Sequence, residues 1–170
     1  MEAPLRIIFV CLGNICRSPL AEGVFKAQAA KAGLADRFEV ASAGTSGYHV
    51  GELPDPGSIQ VARKHGIDIT DQRSQRLTRG DLERYDLIIA MDRSNRRNII
   101  RMLPGEDVEP LRGRLWLMRN FEFTDDGSGH DEDVPDPWGG GLRGFDRVHE
   151  ILERSCANLL SWARREHDLG

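Results

Sequence analysis

Leu5-Arg6-Ile7-Ile8-Phe9-Val10 leads directly into Cys11-Leu12-Gly13-Asn14-Ile15-Cys16-Arg17-Ser18-Pro19-Leu20-Ala21-Glu22. The first six residues are a nearly continuous apolar run, the pattern of a strand buried on both faces of a parallel sheet. Ser18 before Pro19 is a helix-start pattern, with serine at the cap and proline at the first helical position. Glu22 adds negative charge near that terminus. The helix is expected to run to about Ala32 and to stop at Gly33. The stretch therefore reads as strand, short loop, helix.

The same alternation continues along the chain. A second strand is expected at Phe38–Ala41, ending in Ser42-Ala43-Gly44-Thr45, and a Gly/Pro-rich stretch follows from Gly47 to Gly57. Ser58–His65 reads as a helix closed by Gly66, and Leu82–Tyr85 as a helical turn. Asp86–Met91 is a third, apolar strand, Asp92–Met102 a helix stopping before Pro104-Gly105, and Leu115–Met118 a weaker fourth strand. The last helix is expected over Phe145–Arg165, because Phe145, Val148, Leu152, Cys156, Leu159 and Ala163 recur at steps of three and four. Strands alternating with helices give an α/β fold, a doubly wound parallel sheet with helices on both faces. Phe123–Gly144 is polar, acidic and glycine-rich, and loops of that length in compact domains are usually functional or disordered.

The chain has 170 residues, 39 % hydrophobic and 29 % charged, with a net charge of −4. This describes a soluble globular protein, and the reading is one domain over residues 1–170. The acidic balance argues against a nucleic-acid backbone as the main partner. No apolar run approaches the roughly 20 residues that span a bilayer, and Met1-Glu2-Ala3-Pro4 lacks the basic-then-apolar pattern of a signal peptide. The expected location is cytoplasmic, with no membrane partner. Three cysteines rule out a disulfide framework and fit a reducing compartment.

Ligands of open parallel sheets bind at the carboxyl ends of strands, and Cys11–Ser18 occupies that place. It also precedes a helix N-terminus, where free amides and the helix dipole favour an anion. The favoured reading is a phosphate cradle. Loop amides would face oxygens, Arg17 would offer a planar bidentate fork, and Cys11 would sit beneath the phosphorus. Dipole, amides and Arg17 together would stabilise a thiolate at Cys11, making it a nucleophile for phosphoryl transfer. The competing reading is a small buried cysteine at a strand end. No G-x-x-x-x-G-K-[ST] loop occurs.

Val10 to Glu22 resembles the signature of the low-molecular-weight protein tyrosine phosphatases. Ser42-Ala43-Gly44-Thr45, His65-Gly66-Ile67-Asp68, Met91-Asp92 and Asp136-Pro137-Trp138 resemble the family in the same order. The resemblance implies a four-stranded parallel sheet and phosphomonoester hydrolysis through a phosphocysteine, with no metal and no cofactor. It implies a protein phosphotyrosine substrate, and the chain is expected as a monomer or weak homodimer. By position, Cys11 resembles the nucleophile and Arg17 the arginine that binds phosphate and transition state. Leu12, Gly13, Asn14, Ile15, Cys16, Arg17 and Ser18 form the phosphate-binding loop. Asn14 resembles the asparagine that holds the loop, with Ser42 as its partner, and Ser18 the hydroxyl that stabilises the leaving thiolate. Asp136 resembles the general acid that protonates the phenolate and then activates water.

Support for Asp136 from the residues themselves is that Pro137 stiffens the backbone beside it and that it lies in the one long loop. Its acidic companions Asp125, Asp126, Asp131, Glu132 and Asp133 read as a solvated charged loop. The tandem tyrosines of eukaryotic members are replaced by Trp138 and Gly139, so regulation through them is not expected. Trp138 is expected as one aromatic wall of a phosphotyrosine slot, and Tyr48 resembles the family's aromatic on the opposite wall.

Other signals carry less. Gly139–Gly144 matches G-x-G-x-x-G but follows no strand, so it reads as a hinge for the acid loop. The three cysteines and scattered histidines make no tetrahedral zinc site by spacing. A reversible Cys11–Cys16 disulfide under oxidant is supported by the resemblance, whereas Cys156 lies on the apolar stripe of the last helix and reads as core. Arg93, Arg96, Arg97 and Arg101 read as a solvated helix face. Three alternative functions compete with this reading. Arsenate reduction needs relay cysteines, and none lies between Cys16 and Cys156. Phosphoarginine phosphatases resemble this loop but carry threonine where Ile15 stands. A non-catalytic phosphate-binding module predicts loss of the nucleophile or acid, yet Cys11, Arg17 and Asp136 are all present.

Overall fold

The computed structural model describes residues 2–122 and 131–169. Four parallel strands, β1 (Leu5–Cys11), β2 (Phe38–Gly44), β3 (Leu87–Ala90) and β4 (Leu115–Leu117), form one sheet in the order β2-β1-β3-β4. Among the described residues five α-helices cover it: α1 (Arg17–Lys31), α2 (Pro56–Lys64), α3 (Arg79–Arg84), α4 (Arg93–Arg101) and α5 (Leu142–Glu166). The expected doubly wound α/β architecture is what the chain adopts.

β1 lies at the centre because it can bury both faces. Ile7, Phe9 and Cys11 point into a core shared with α1, α2 and α5, while Ile8 and Val10 point into a second core with Leu82 and Ile99. β3 alternates in the same way, Leu87 and Ile89 into the first core and Ile88 and Ala90 into the second. Each such fully buried large side chain contributes about 1.5–3 kcal/mol. A strand anchored on two faces fixes its carboxyl end, where Cys11 stands.

The helix starts explain why the element boundaries differ from the sequence reading. α1 begins at Arg17 with Cys16 at its cap, not at Ser18. The Ser18 hydroxyl is spent on Cys11 and Asn14 instead of capping. α2 begins at Pro56, two residues before Ser58, because Asp55 caps it by accepting from the Gly57 amide at 2.8 Å. Thr78 and Asp81 form a reciprocal capping box that lengthens the expected Leu82–Tyr85 turn into α3. β2 runs on through Ser42 and Ala43 to Gly44. A Cβ at Gly44 would stand 2.7 Å from the Leu12 carbonyl oxygen, so only glycine lets β2 close against the loop after β1.

Of the long polar stretch, Phe123 to His130 lies outside the described residues, and with it Asp125 and Asp126. From Asp131 the backbone is described. Of the Gly139–Gly144 motif, Gly139 and Gly141 hold φ of 77°, and Leu142 to Gly144 are already inside α5.

Candidate active site

The loop between β1 and α1 wraps around a cavity of about 200 Å³. Its shape is set by where its carbonyls go. Cys11 O accepts from the Thr45 amide, Leu12 O from the Ser46 amide and Ile15 O from the Asp55 amide. Gly13 O accepts from the Ser74 hydroxyl and Cys16 O from the Ser58 hydroxyl. In a trans peptide C=O and N–H point oppositely. With these carbonyls drawn outward into the scaffold, the amides of the same peptide planes turn the other way. This is the arrangement that binds an anion at a helix start.

Asn14 holds the loop in this form from beneath. It is buried and has a positive φ of 56°, a conformation that costs most residues about 1 kcal/mol or more. Its Nδ2 donates to Ser18 Oγ at 2.8 Å and to Ser42 Oγ at 2.9 Å, and its Oδ1 accepts from the Gln75 amide at 2.9 Å. The expected Asn14–Ser42 pair is present. Ser74 and Gln75, which complete the support, were not found by sequence reasoning and carry no local signal that marks them.

Cys11 Sγ lies 3.0 Å from Ser18 Oγ, at the end of the buried central strand. Cys11, Leu12, Gly13, Ile15, Cys16 and Arg17 all line the cavity. Asn14, Ser18 and Ser42 do not line it; they form the layer below. The three cysteines are free thiols. Burial, with the nearby Asp55 and Cys11, pushes the Cys16 thiol well above its usual range, so it stays protonated.

Arg17 is almost wholly buried, its side chain only 3 % exposed. Its Nη1 donates to Asp92 Oδ2 at 2.7 Å and to the Val134 carbonyl at 3.0 Å, leaving Nη2 turned toward Asp136 Oδ2 at 3.7 Å. Burial disfavours the cation, but Cys11, Asp92 and Asp136 outweigh it and hold the guanidinium pKa above its usual value. Asp92 serves two elements at once. Its other oxygen caps α4 by accepting from the Asn95 amide at 2.6 Å. Sequence reasoning noted Met91-Asp92 without this role, although an aspartate between a strand and a helix is a capping signal.

The segment carrying Asp136 is pinned two residues upstream. Val134 is fully buried, and its amide donates to the Met91 carbonyl at 2.9 Å, at the end of β3. Asp133 receives the Arg93 amide at 2.9 Å and the Arg93 guanidinium at 3.1 and 3.2 Å. These bonds with Arg93, outweighing its partial burial, hold the Asp133 carboxyl below the usual carboxylate range. Arg93 and Asp133 keep the partly solvated position expected of them, and the structure adds their pairing, which clamps one loop to the helix after β3. Arg119 adds a bond from Nη1 to the Asp133 carbonyl at 3.0 Å and pairs with buried Glu122.

Asp136 projects from this anchor into the cavity wall. Its Oδ1 accepts from the Trp138 amide at 3.1 Å, a turn that Pro137 stiffens. Tyr48 and Trp138 also line the cavity, and they are 90 % and 66 % exposed. Large aromatics left in water at a cavity mouth fit a site that takes a flat ring. His49 and Ser46, which the sequence reading did not select, complete the wall, and His49 Nδ1 is paired with Glu52. Among the described residues no helix is long and apolar enough to cross a membrane.

A family model for low molecular weight phosphotyrosine protein phosphatase matches residues 6–169. The low molecular weight phosphotyrosine protein phosphatase of Schizosaccharomyces pombe is 42 % identical over 161 residues, covering 94 % of this chain and 97 % of that one. A crystal structure of a protein tyrosine phosphatase from Entamoeba histolytica, with Hepes in its active site, superposes with a TM-score of 0.85. It is 34 % identical, with 98 % of this chain and 99 % of that chain covered. The YwlE arginine phosphatase of Bacillus subtilis, as a mutant with a phosphorylated active-site serine, gives a TM-score of 0.81. The identity there is 27 %, covering 98 % of this chain and all of that one.

Proposed function

The chain belongs to the low molecular weight phosphotyrosine protein phosphatase family, and on that premise we propose that it hydrolyses protein phosphotyrosine through a phosphocysteine intermediate. The observation that carries the reading is one cavity bringing Cys11, Arg17 and Asp136 together between Tyr48 and Trp138.

In this mechanism the phosphoryl oxygens sit on the loop amides and Arg17, and the Cys11 thiolate attacks phosphorus. The tyrosine oxygen leaves and takes a proton from Asp136. Asp136 then accepts a proton from water as that water attacks the phosphocysteine. The Cys11 thiolate departs toward Ser18 Oγ, 3.0 Å away, which donates to it. Arg17 stays fixed by Asp92 and Val134, so little reorganisation accompanies charge development. Tyr48 and Trp138 take the two faces of the phenyl ring.

Phosphoarginine is the second reading, supported by the likeness to the YwlE arginine phosphatase. Bulky Ile15 in the cavity wall stands against it. The test is phenolate release from a chromogenic aryl phosphate near pH 6 with chelator present, comparing the wild type with Cys11→Ser. Turnover by the wild type alone is expected. Retained turnover in Cys11→Ser, or a need for a divalent metal, overturns the mechanism. Parallel assays on phosphotyrosine and phosphoarginine peptides separate the two substrate classes.

A further inference from the structure

His65, His149 and Glu153 meet away from the catalytic cavity, and none of them lines it. His65 caps the end of α2, while His149 and Glu153 lie one turn apart on α5. The two imidazoles stack with centroids 3.8 Å apart and planes 18° from parallel. Glu153 Oε2 is 3.3 Å from His149 Nε2. One ligand atom from each of the three residues lies within 4.8 Å of the others.

These side chains line a surface cavity of about 250 Å³ together with Gln28 and Lys31 of α1. Two polar atoms of these residues lack partners among the described residues. Nδ1 of His149 and Oε1 of Gln28 are buried and make no hydrogen bond among the described residues, although Gln28 Nε2 donates to the Glu153 carbonyl at 2.9 Å. His149 is only 2 % exposed, and buried polar atoms of this kind usually find a partner.

We propose that His65, His149 and Glu153 form a zinc site that ties the end of α2 to α5. Two imidazoles and one carboxylate are a three-ligand set that zinc accepts, with water or the Gln28 oxygen completing four-coordination. Calcium and magnesium prefer all-oxygen shells. Bonds of about 2.0–2.1 Å place tetrahedral ligand atoms roughly 3.3 Å apart, so the cluster must contract and the His65 ring must turn out of the stack. His65 and Glu153 are exposed and can do so, while buried His149 supplies the fixed point. Burial and the adjacent His65 hold His149 below its usual pKa, in the neutral form that carries a free lone pair. Lys31 is exposed and can carry its charge into water. The site takes no part in the proposed hydrolysis, and its test is independent of that reading.

The experiment measures zinc bound after equilibrium dialysis, and thermal melting with and without zinc. It is done on the full chain in a Cys11→Ser background, which removes a competing thiolate. His65→Ala and Glu153→Gln are each added to that background, both at exposed positions. The parent should bind about one zinc more than the His65→Ala form. Its Tm should rise by about 5–10 °C at a zinc concentration roughly 100 times the dissociation constant. Both substitutions should weaken zinc binding at least tenfold while leaving the zinc-free melt unchanged. Equal zinc uptake and equal Tm shifts in parent and variants overturn the site, as does a parent that binds no zinc.

Discussion

Arg17 Nη2 and Asp136 Oδ2 lie 3.7 Å apart, although one follows the first strand and the other precedes the last helix. The carboxylate proposed to give up a proton thus rests against the guanidinium proposed to hold phosphate. Two consequences follow for Asp136→Asn. Turnover of phenyl-type phosphates should fall about 10²–10⁴-fold, and that of substrates with activated leaving groups much less, because the latter need less protonation. Inorganic phosphate should bind more tightly, because a negative charge beside Arg17 has been removed. Leaving-group series and phosphate inhibition constants measure both. Equal losses across the series would sink the general-acid role.

Asn14 separates backbone strain from side-chain support. Asn14→Gly keeps a residue suited to φ of 56° but loses the bonds to Ser18, Ser42 and Gln75. Asn14→Ala loses the same bonds and adds the strain. Both should lower kcat/KM, and the alanine form should be the less stable by about 1 kcal/mol. Denaturant titration of the pair gives the difference directly.

Arg93→Ala removes the guanidinium bonds to Asp133, leaving the backbone amide bond, without touching the cavity. Arg93 is about half exposed, so the stability change should stay below about 1 kcal/mol. Because the residues just ahead of Asp136 lose part of their tether, kcat should drop several-fold while affinity for phosphate is kept. Arg93→Lys should recover only part, since lysine cannot form the two-pronged contact. A fall in phosphate affinity with unchanged kcat would refute the clamp.

Glu122 joins two arginines: Oε2 accepts from Arg119 at 2.5 Å and Oε1 from Arg154 at 2.7 Å. The side chain is 4 % exposed. Burial opposes its charge, but the two arginines hold its pKa below the usual carboxylate value. Glu122→Gln leaves Arg119 facing a neutral group in the interior and should cost about 3 kcal/mol, lowering Tm by roughly 6–12 °C. A change under about 1 kcal/mol, read from thermal and urea unfolding, would mean that the pair contributes little.

His149 gives the fold a pH dependence of definite sign. Its folded pKa lies below the unfolded value of about 6.5. The unfolded chain therefore takes up the proton first, and stability is fully present above pH 6.5 and declines as pH falls through that value. Burial is the main cause, with His65 of α2 adding to it, while Glu153 and Asp146 on α5 oppose. Thermal melts in chelator between pH 5.5 and 7.5 should show the decline in the wild type and a flatter profile in His149→Gln. An identical slope in both forms would assign the decline to other groups.

The fold was legible where burial is two-sided and turn chemistry is simple. β1 and β3 are apolar on both faces, so their existence needed no tertiary information. Misread boundaries trace to side chains with two possible uses. Ser18 looks like a cap but serves Cys11 and Asn14, and Ser42-Ala43-Gly44 looks like a turn but is strand. At the site, Cys11 and Arg17 follow from position after a strand. By contrast, the Arg93–Asp133 clamp, the Ser74 and Gln75 supports and the His65–His149 stack join residues distant in sequence. Each of these reads locally as an ordinary surface residue, and only the packed chain brings them together.

The Cys11–Ser18 loop and its supports Ser42, Ser74 and Gln75 all precede β3, whereas Asp92 and Val134, which hold Arg17, and the carboxylate proposed as proton donor come after it. The proposed phosphate site and its proposed proton donor are thus drawn from opposite halves of the chain and meet at Arg17. Replacing Asp136 alone, with Val134 kept to hold Arg17, offers a route from the proposed hydrolase to a phosphate-capturing trap.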